Sequence, residues 1–306
     1  MFEVLVDRGE DNSFLSPELR AGYGGDLSFP APPLWRPFLF SNLVASIDGI
    51  VAFGGLGASE ARVISGRSED DHWLMGLLRA SADAVIAGAN TLRSDTRHTW
   101  TARALRGADA DALEAWRVER GAAVNPLQCF VTASGALDPD AAVFQRPDLQ
   151  AIVFTTPEGA SRLRLPSRVP VLQAPDEQGT GVDLRLALRT LRHEHGVRRL
   201  LCEGGPELFG ALLDLGLPDE MFHTVSPLLI GADPAIEGRL GLTGSRAWHP
   251  AGAPAFDLVS ARAGRRERSH LFLRYRRRQA QQRSSEFERP KSGQTVPRDT
   301  RPCQDY

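Results

Sequence analysis

Residues 200–213 read LLCEGGPELFGALL. An apolar run climbs to a carboxylate, Glu203; two glycines and Pro206 follow, and then a helical apolar spacing begins. The pattern predicts a strand that ends in a tight turn and feeds directly into a helix. Gly204 and Gly205 let the backbone turn sharply and let a ligand approach with no Cβ in the way. Pro206 suits the first helical position, where its missing N–H costs nothing. The free N–H groups of such a first turn, with the positive end of the helix dipole, form an anion site. The turn therefore points to a phosphate-bearing cofactor, although an ordinary strand-to-helix turn carries the same pattern.

The 306 residues suffice for one large domain or two small ones, and the 42% hydrophobic content is ample for a packed core. A net charge of −2 gives the whole chain no nucleic-acid signature. Residues 262–278 hold eight arginines against the single acid Glu267, without the interleaved aromatics of a stacking platform. That run reads as a solvated edge hairpin. Cys129, Cys202 and Cys303 are odd in number and far apart, with neither a disulfide framework nor zinc spacing. Cys129 and Cys202 sit in apolar runs and read as small core residues, which fits a reducing cytoplasm. The opening MFEVLVDRGEDNS has no basic lead and is broken by charges, so no signal peptide is expected. No apolar run approaches the roughly 20 residues of a membrane span.

Residues 1–36 read as an extension, denied regular structure after a short first element by Gly22, Gly24, Gly25, Pro30, Pro32 and Pro33. The polar tail, 278–306, reads as disordered. Between them, 37–277 form one continuous pattern of alternating strands and helices. Strands are expected at 37–46, 84–87, 127–132, 151–155, 168–173, 198–202 and 220–230, the last broken by Pro227. Helices are expected at 68–80, capped by Ser68, at 183–195 and from 208 to 215. Residues 256–261 and 270–275 form a closing antiparallel pair around Gly264. The fold class is α/β, a largely parallel sheet covered on both faces and mixed at its edge.

Several chemistries lack their motifs. No GxGxxG follows a strand, and neither a P-loop, a GxSxG elbow nor a zinc-deaminase ligand set is present. The seven histidines show no metal spacing, so no metal is expected. Positive signals cluster instead at strand ends. Period-two geometry puts Asn42, Val44, Ser46 and Asp48 on one face of the first strand, ahead of a glycine-rich loop at 54–57 that suits a lid. Three polar side chains on an apolar strand need partners or a ligand, and a core hydrogen-bond network would serve equally. Residues 88–95 follow a buried strand directly, where open α/β sheets bind ligands. Thr91 and Asp95, four apart, share a face of a helical turn. Arg79, at the end of the preceding helix, could reach an anionic substrate or could simply cap that helix.

SNLVASIDG (41–49), LLRASADAVIAGANTLRSD (77–95), VTASGALDPDAAVF (131–144), LLCEGGPELFGALL and DEMFHTVSPLLIG (219–231) occur in this order. Together they resemble the reductase domain of bacterial riboflavin biosynthesis, the C-terminal half of the bifunctional pyrimidine deaminase/reductase, over roughly 37–277. The resemblance implies a dihydrofolate-reductase-like fold, NADPH as cofactor, and hydride transfer to a small substrate, 5-amino-6-(5-phosphoribosylamino)uracil or a related ribosylamino-pyrimidine. It implies cofactor contacts at Thr91, Asp95, Ser134 and the backbone of Gly205, Pro206, Glu207, Leu208, Phe209, Gly210 and Ala211. It assigns Glu203 and Arg79 to the substrate side, where Asn42, Ser46 and Asp48 join them. Beside a phosphate, the Glu203 carboxylate should point away, toward substrate donors. Thr155, Thr156 and Arg162 are candidates for a 2′-phosphate. Family members commonly pair as homodimers, and the closing strand pair is a candidate interface.

This chain departs from the family at two places. Asp95 is followed by Thr96-Arg97-His98-Thr99-Trp100-Thr101-Ala102-Arg103, so the family's phosphate-gripping arginine is displaced or absent, with Arg97 and Arg103 as candidates. Val63 stands where a tryptophan is frequent. A pterin reductase of the dihydrofolate type and a non-catalytic NADPH-binding homologue are the alternatives.

Overall fold

The computed structural model describes residues 2–53, 60–104, 108–231, 239–266 and 269–278. The strands are β1 (Phe2–Asp7), β2 (Phe38–Ala45), β3 (Ile50–Phe53), β4 (Ala84–Gly88), β5 (Leu127–Thr132), β6 (Ala151–Thr155), β7 (Val171–Gln173), β8 (Arg199–Cys202), β9 (Glu220–Val225), β10 (Arg239–Gly241), β11 (Phe256–Gly264) and β12 (Leu271–Arg277). The helices are α1 (Pro17–Tyr23), α2 (Glu60–Ile64), α3 (Glu69–Ser81), α4 (Ala89–Ser94), α5 (Ala108–Glu119), α6 (Ala142–Gln145), α7 (Pro157–Arg162), α8 (Leu184–His193) and α9 (Pro206–Asp214). Ten strands form one sheet in the order β1-β11-β12-β9-β2-β8-β4-β5-β6-β7. From β9 to β7 every neighbouring pair is parallel, and β1, β11 and β12 add an antiparallel flank. β3 and β10 form a separate two-stranded ribbon.

Covered parallel strands lose water on both faces and read as unbroken apolar runs. Phe40, Val85, Phe130, Val153 and Leu201 face one layer with Leu77 and Leu78 of α3 and Leu113 and Trp116 of α5. Leu39, Ile86, Cys129, Ile152 and Leu200 face the other, with Leu184, Leu188 and Leu191 of α8 and Leu208 and Leu212 of α9. Helix starts follow their caps. The Ser68 hydroxyl accepts from the Asp71 N–H, and the Asp183 carboxylate accepts from those of Arg185 and Leu186.

Three expectations change. Beyond the short first element expected, the segment 1–36 also holds a helix and core residues. β1 pairs with β11, α1 starts at the Ser16 cap and Pro17, and Gly24 closes it at φ 76°. Phe2, Leu19, Tyr23 and Leu27 of this segment are core residues. The arginine-rich closing pair is internal rather than a solvated edge, with β1 outside it, so the candidate interface named there does not lie at a free edge. Within that pair Arg262 reaches Asp7 at 2.6 Å and the Tyr23 carbonyl at 2.8 Å, while Arg274 pairs with the fully buried Glu220. The strand expected at 220–230 ends at Val225, ahead of Pro227. The glycine-rich loop at 54–57, Cys303 and the tail from 279 lie outside the described residues. Among the described residues no helix is long and apolar enough to cross a membrane.

Candidate active site

The carboxyl ends of β8, β4, β5 and β6 lie side by side, because these strands are parallel neighbours. Ligands of open α/β sheets bind at such an edge. At its centre the β8–α9 turn leans on β4: the Glu203 N–H donates to the Ile86 carbonyl at 3.1 Å, and the Gly88 N–H to the Gly204 carbonyl at 3.4 Å. A Cβ at Gly204 would lie 2.8 Å from that of Ala87 and 3.1 Å from Thr91 Oγ1, so only glycine lets the turn sit this close. Gly205 turns the chain with φ 60°, and Pro206 starts α9.

The amides of α9 divide. From Phe209, whose N–H donates to the Gly205 carbonyl at 3.1 Å, they belong to the helix itself. Phe209, Gly210 and Ala211 therefore offer no free main-chain donor, contrary to the expectation for the whole run Gly205–Ala211. Gly210 also faces Thr243, where an added Cβ would lie 2.3 Å from the carbonyl oxygen. The Glu207 carboxylate turns aside to accept from the N–H and hydroxyl of Ser245, at 2.8 and 2.9 Å. The donors left at the helix start are those of Gly205, Glu207 and Leu208, which have no main-chain acceptor among the described residues.

Thr91 lies in the first turn of α4 and Asp95 caps its end, and the start of the helix at β4 sets Thr91 Oγ1 against the glycine pair. Asp95 ends the helix and accepts from the Arg97 N–H at 3.1 Å. Ser134 is exposed in the loop after β5, and Arg93 ties that loop to α4 through the Ala136 carbonyl at 2.8 Å. Thr91 and Ser134 thus share the sheet edge with the β8–α9 turn. The 2′-phosphate candidates differ in surroundings. Thr155 and Thr156 are buried, Thr156 caps α7, and Arg162 is ion-paired with Glu158.

On the side facing α3, the structure brings Arg79 and Glu203 together with one another. Arg79 Nε donates to both carboxylate oxygens at 2.9 and 3.0 Å, and Nη2 donates to Oε2 at 2.5 Å. The side chains are 1% and 7% exposed, so each engages the other rather than open solvent. Nη1 reaches the Thr101 carbonyl at 3.4 Å, and Nη2 lies 2.9 Å from His98 Nε2. Burial, and then the positive charge of Arg79, push the His98 imidazole down to about 3. His98 was missed in the sequence; its only signal was its place in the altered run after Asp95.

Ser46 and Asp48 lie beyond the end of β2, so the period-two face stops before them. The Ser46 hydroxyl donates to Asp48 at 2.5 Å and accepts from the Ile50 N–H at 2.9 Å. Asp48 also accepts from the N–H groups of Ile230 and Gly231, at 3.2 and 2.5 Å. These bonds, that of Ser46 foremost, hold its carboxyl at about 2. Both residues thus build the turn between β2 and β3. Asn42 remains on the strand, half-buried. Arg103 is paired with Glu114, whereas Arg97 is exposed and makes no ion pair among the described residues. Also among the described residues, no group of His, Cys, Asp or Glu could hold a metal ion.

Residues 37–263 match the model of the RibD C-terminal domain. The chain is 31% identical over 199 residues to the 2,5-diamino-6-ribosylamino-4(3H)-pyrimidinone 5′-phosphate reductase of Methanothermobacter thermautotrophicus, covering 64% of this chain and 80% of that one. It is 29% identical to the enzyme of the same name from Archaeoglobus fulgidus, covering 64% of this chain and 83% of the relative. A crystal structure of a pyrimidine reductase-like protein from Corynebacterium diphtheriae superposes with a TM-score of 0.61 at 21% identity, over 79% of this chain and 92% of that one. The fold is therefore the dihydrofolate-reductase-like arrangement expected, and the chain belongs to the RibD C-terminal domain family.

Proposed function

We propose that this chain is an NADPH-dependent reductase that reduces a ribosylamino-pyrimidine intermediate of riboflavin biosynthesis. The observation that carries the reading is the β8–α9 turn at the carboxyl edge, with its glycine pair and N-terminal donors that have no main-chain acceptor among the described residues. These features fit a nicotinamide dinucleotide: Gly205, Glu207 and Leu208 would hold the diphosphate through main-chain N–H groups, and Thr91, Asp95 and Ser134 would line the approach. When bound, reduced nicotinamide supplies the hydride that converts a ribosyl carbon to ribityl. The residues of the chain bind, orient and exclude water. Asn42 would contact the substrate, and Arg97 would take its phosphate, since Arg79 and Arg103 are engaged with carboxylates. Arg79 and Glu203 would border the substrate as a preformed pair. Ser46 and Asp48 would support that side by holding the turn beneath it. Two buried unpaired cysteines fit the cytoplasm as the working compartment.

The test is calorimetric titration of the purified chain with NADPH and NADH. Turnover assays follow on 5-amino-6-(5-phosphoribosylamino)uracil, on its 2,5-diamino-pyrimidinone counterpart and on dihydrofolate. Tighter binding of NADPH and turnover of one ribosylamino-pyrimidine are expected. Turnover of dihydrofolate alone, or NADPH binding with no turnover, refutes the assignment.

A further inference from the structure

We propose that His98 is a positioning residue for the cofactor turn: its Nε2 accepts from Arg79 and so fixes Glu203, the residue from which the glycine pair departs. The inference rests on the nicotinamide reading above. A buried guanidinium carries five N–H donors, and each one left without an acceptor is costly. Glu203 takes the Nε donor and one from Nη2, and the Thr101 carbonyl takes one from Nη1. The second Nη2 donor has His98 Nε2 at 2.9 Å. Facing a cation, that nitrogen must present its lone pair, so the ring is neutral with its proton on Nδ1.

The ring is itself held from a second direction. His98 meets Trp100 edge-on, with centroids 4.7 Å apart. The Trp100 main chain exchanges two hydrogen bonds with the buried Gln128 side chain on β5, both at 3.0 Å. The path thus runs from β5 through Trp100 and His98 to Arg79 on α3, and then to Glu203 at the end of β8. Glu203 directly precedes Gly204, whose fit against Ala87 and Thr91 has no slack. A shift at Glu203 is therefore passed to the donors at the start of α9. His98 makes no hydrogen bond to the glycine pair or to those donors among the described residues, so its effect is one of placement.

Two full-length variants test this. His98→Leu removes the acceptor, and His98→Gln restores one through its amide oxygen. Three quantities are measured: the NADPH dissociation constant by calorimetry, the melting midpoint of the free chain, and kcat and KM for the pyrimidine. We expect His98→Leu to weaken NADPH binding roughly ten-fold, as misplacing one main-chain donor to the diphosphate would, with kcat preserved at saturating NADPH. His98→Gln should recover most of the binding. Unchanged NADPH affinity in His98→Leu overturns the proposal. So does a Gln variant as weak as the Leu variant, or a fall in kcat with affinity intact. If the native chain binds no NADPH, the nicotinamide reading itself falls and takes this inference with it. Native binding alongside indifferent variants removes the role of His98 alone.

Discussion

The pairing of Arg79 with Glu203 sets up a double-mutant cycle whose outcome follows from burial. The two side chains are 1% and 7% exposed and share three contacts at 2.9, 3.0 and 2.5 Å. Glu203→Leu leaves a guanidinium enclosed, with His98 and the Thr101 carbonyl as its remaining acceptors among the described residues. Breaking a buried pair from one side strands a charge and costs about 3–5 kcal/mol. Arg79→Met strands the carboxylate instead, at a similar cost. Combining Arg79→Met with Glu203→Leu removes both charges, and an apolar replacement of a buried pair is near neutral or stabilising. The double variant should therefore be more stable than either single one, with a coupling energy of about 3 kcal/mol. Urea unfolding followed by far-ultraviolet circular dichroism at neutral pH reads all four chains, provided their denaturant slopes agree. The reasoning is refuted if each single change costs less than about 1 kcal/mol, as at an exposed pair, or if the two costs simply add.

Two further outcomes are expected. Gly205→Ala puts a Cβ at φ 60° and 3.3 Å from Thr91 Oγ1, so the variant should lose about 1–2 kcal/mol and bind NADPH more weakly; unfolding and calorimetry together check this, and native affinity refutes it. His98 is held at about 3 in the folded chain against 6.5 ordinarily, so between these values the unfolded chain binds the extra proton. Its contribution is full above about pH 6.5 and is lost as pH falls toward 3; His98→Gln should lose less stability than the native chain between neutral pH and pH 5, and equal losses refute the assignment.

The legible parts of the fold are those where one local signal dominates. β5 and β6 run at the predicted residues because apolar strands covered on both faces leave few alternatives. α3 and α8 start where Ser68 and Asp183 announce them. α1 was hidden because its cap, Pro17 and Gly24, reads equally as loop punctuation, and only Leu19 and Tyr23 supply a large apolar face. α5 was missed because alanines and charges dominate it, and among its buried residues only Leu113 and Trp116 are large and apolar, beside Ala110, Glu114 and Arg117. Within the site, the glycine turn is a contiguous motif and is read directly. Arg79 and Glu203 were each visible, but their bond spans 124 residues and depends on α3 lying across β8. Ser46 and Asp48 looked like strand residues because the turn signal in SNLVASIDG is Gly49, whereas pairing already stops at Ala45; the turn bonds decide it.

The outermost place of β1 in the sheet bears on how this chain reaches its native state. Phe2 lies against Phe272 with ring centroids 4.8 Å apart, and its strand partner is Gly264. During synthesis β1 emerges about 250 residues before β11 (Phe2 pairs with Gly264) and must wait for it before it can dock. Closing so distant a contact is entropically slow. Until then Phe2, Leu19 and Tyr23 are uncovered greasy surface, a target for chaperones and for self-association. Substitutions that weaken β1, Phe2→Asp foremost, should therefore hinder recovery of intact material although the strand takes no part in the β8–α9 turn.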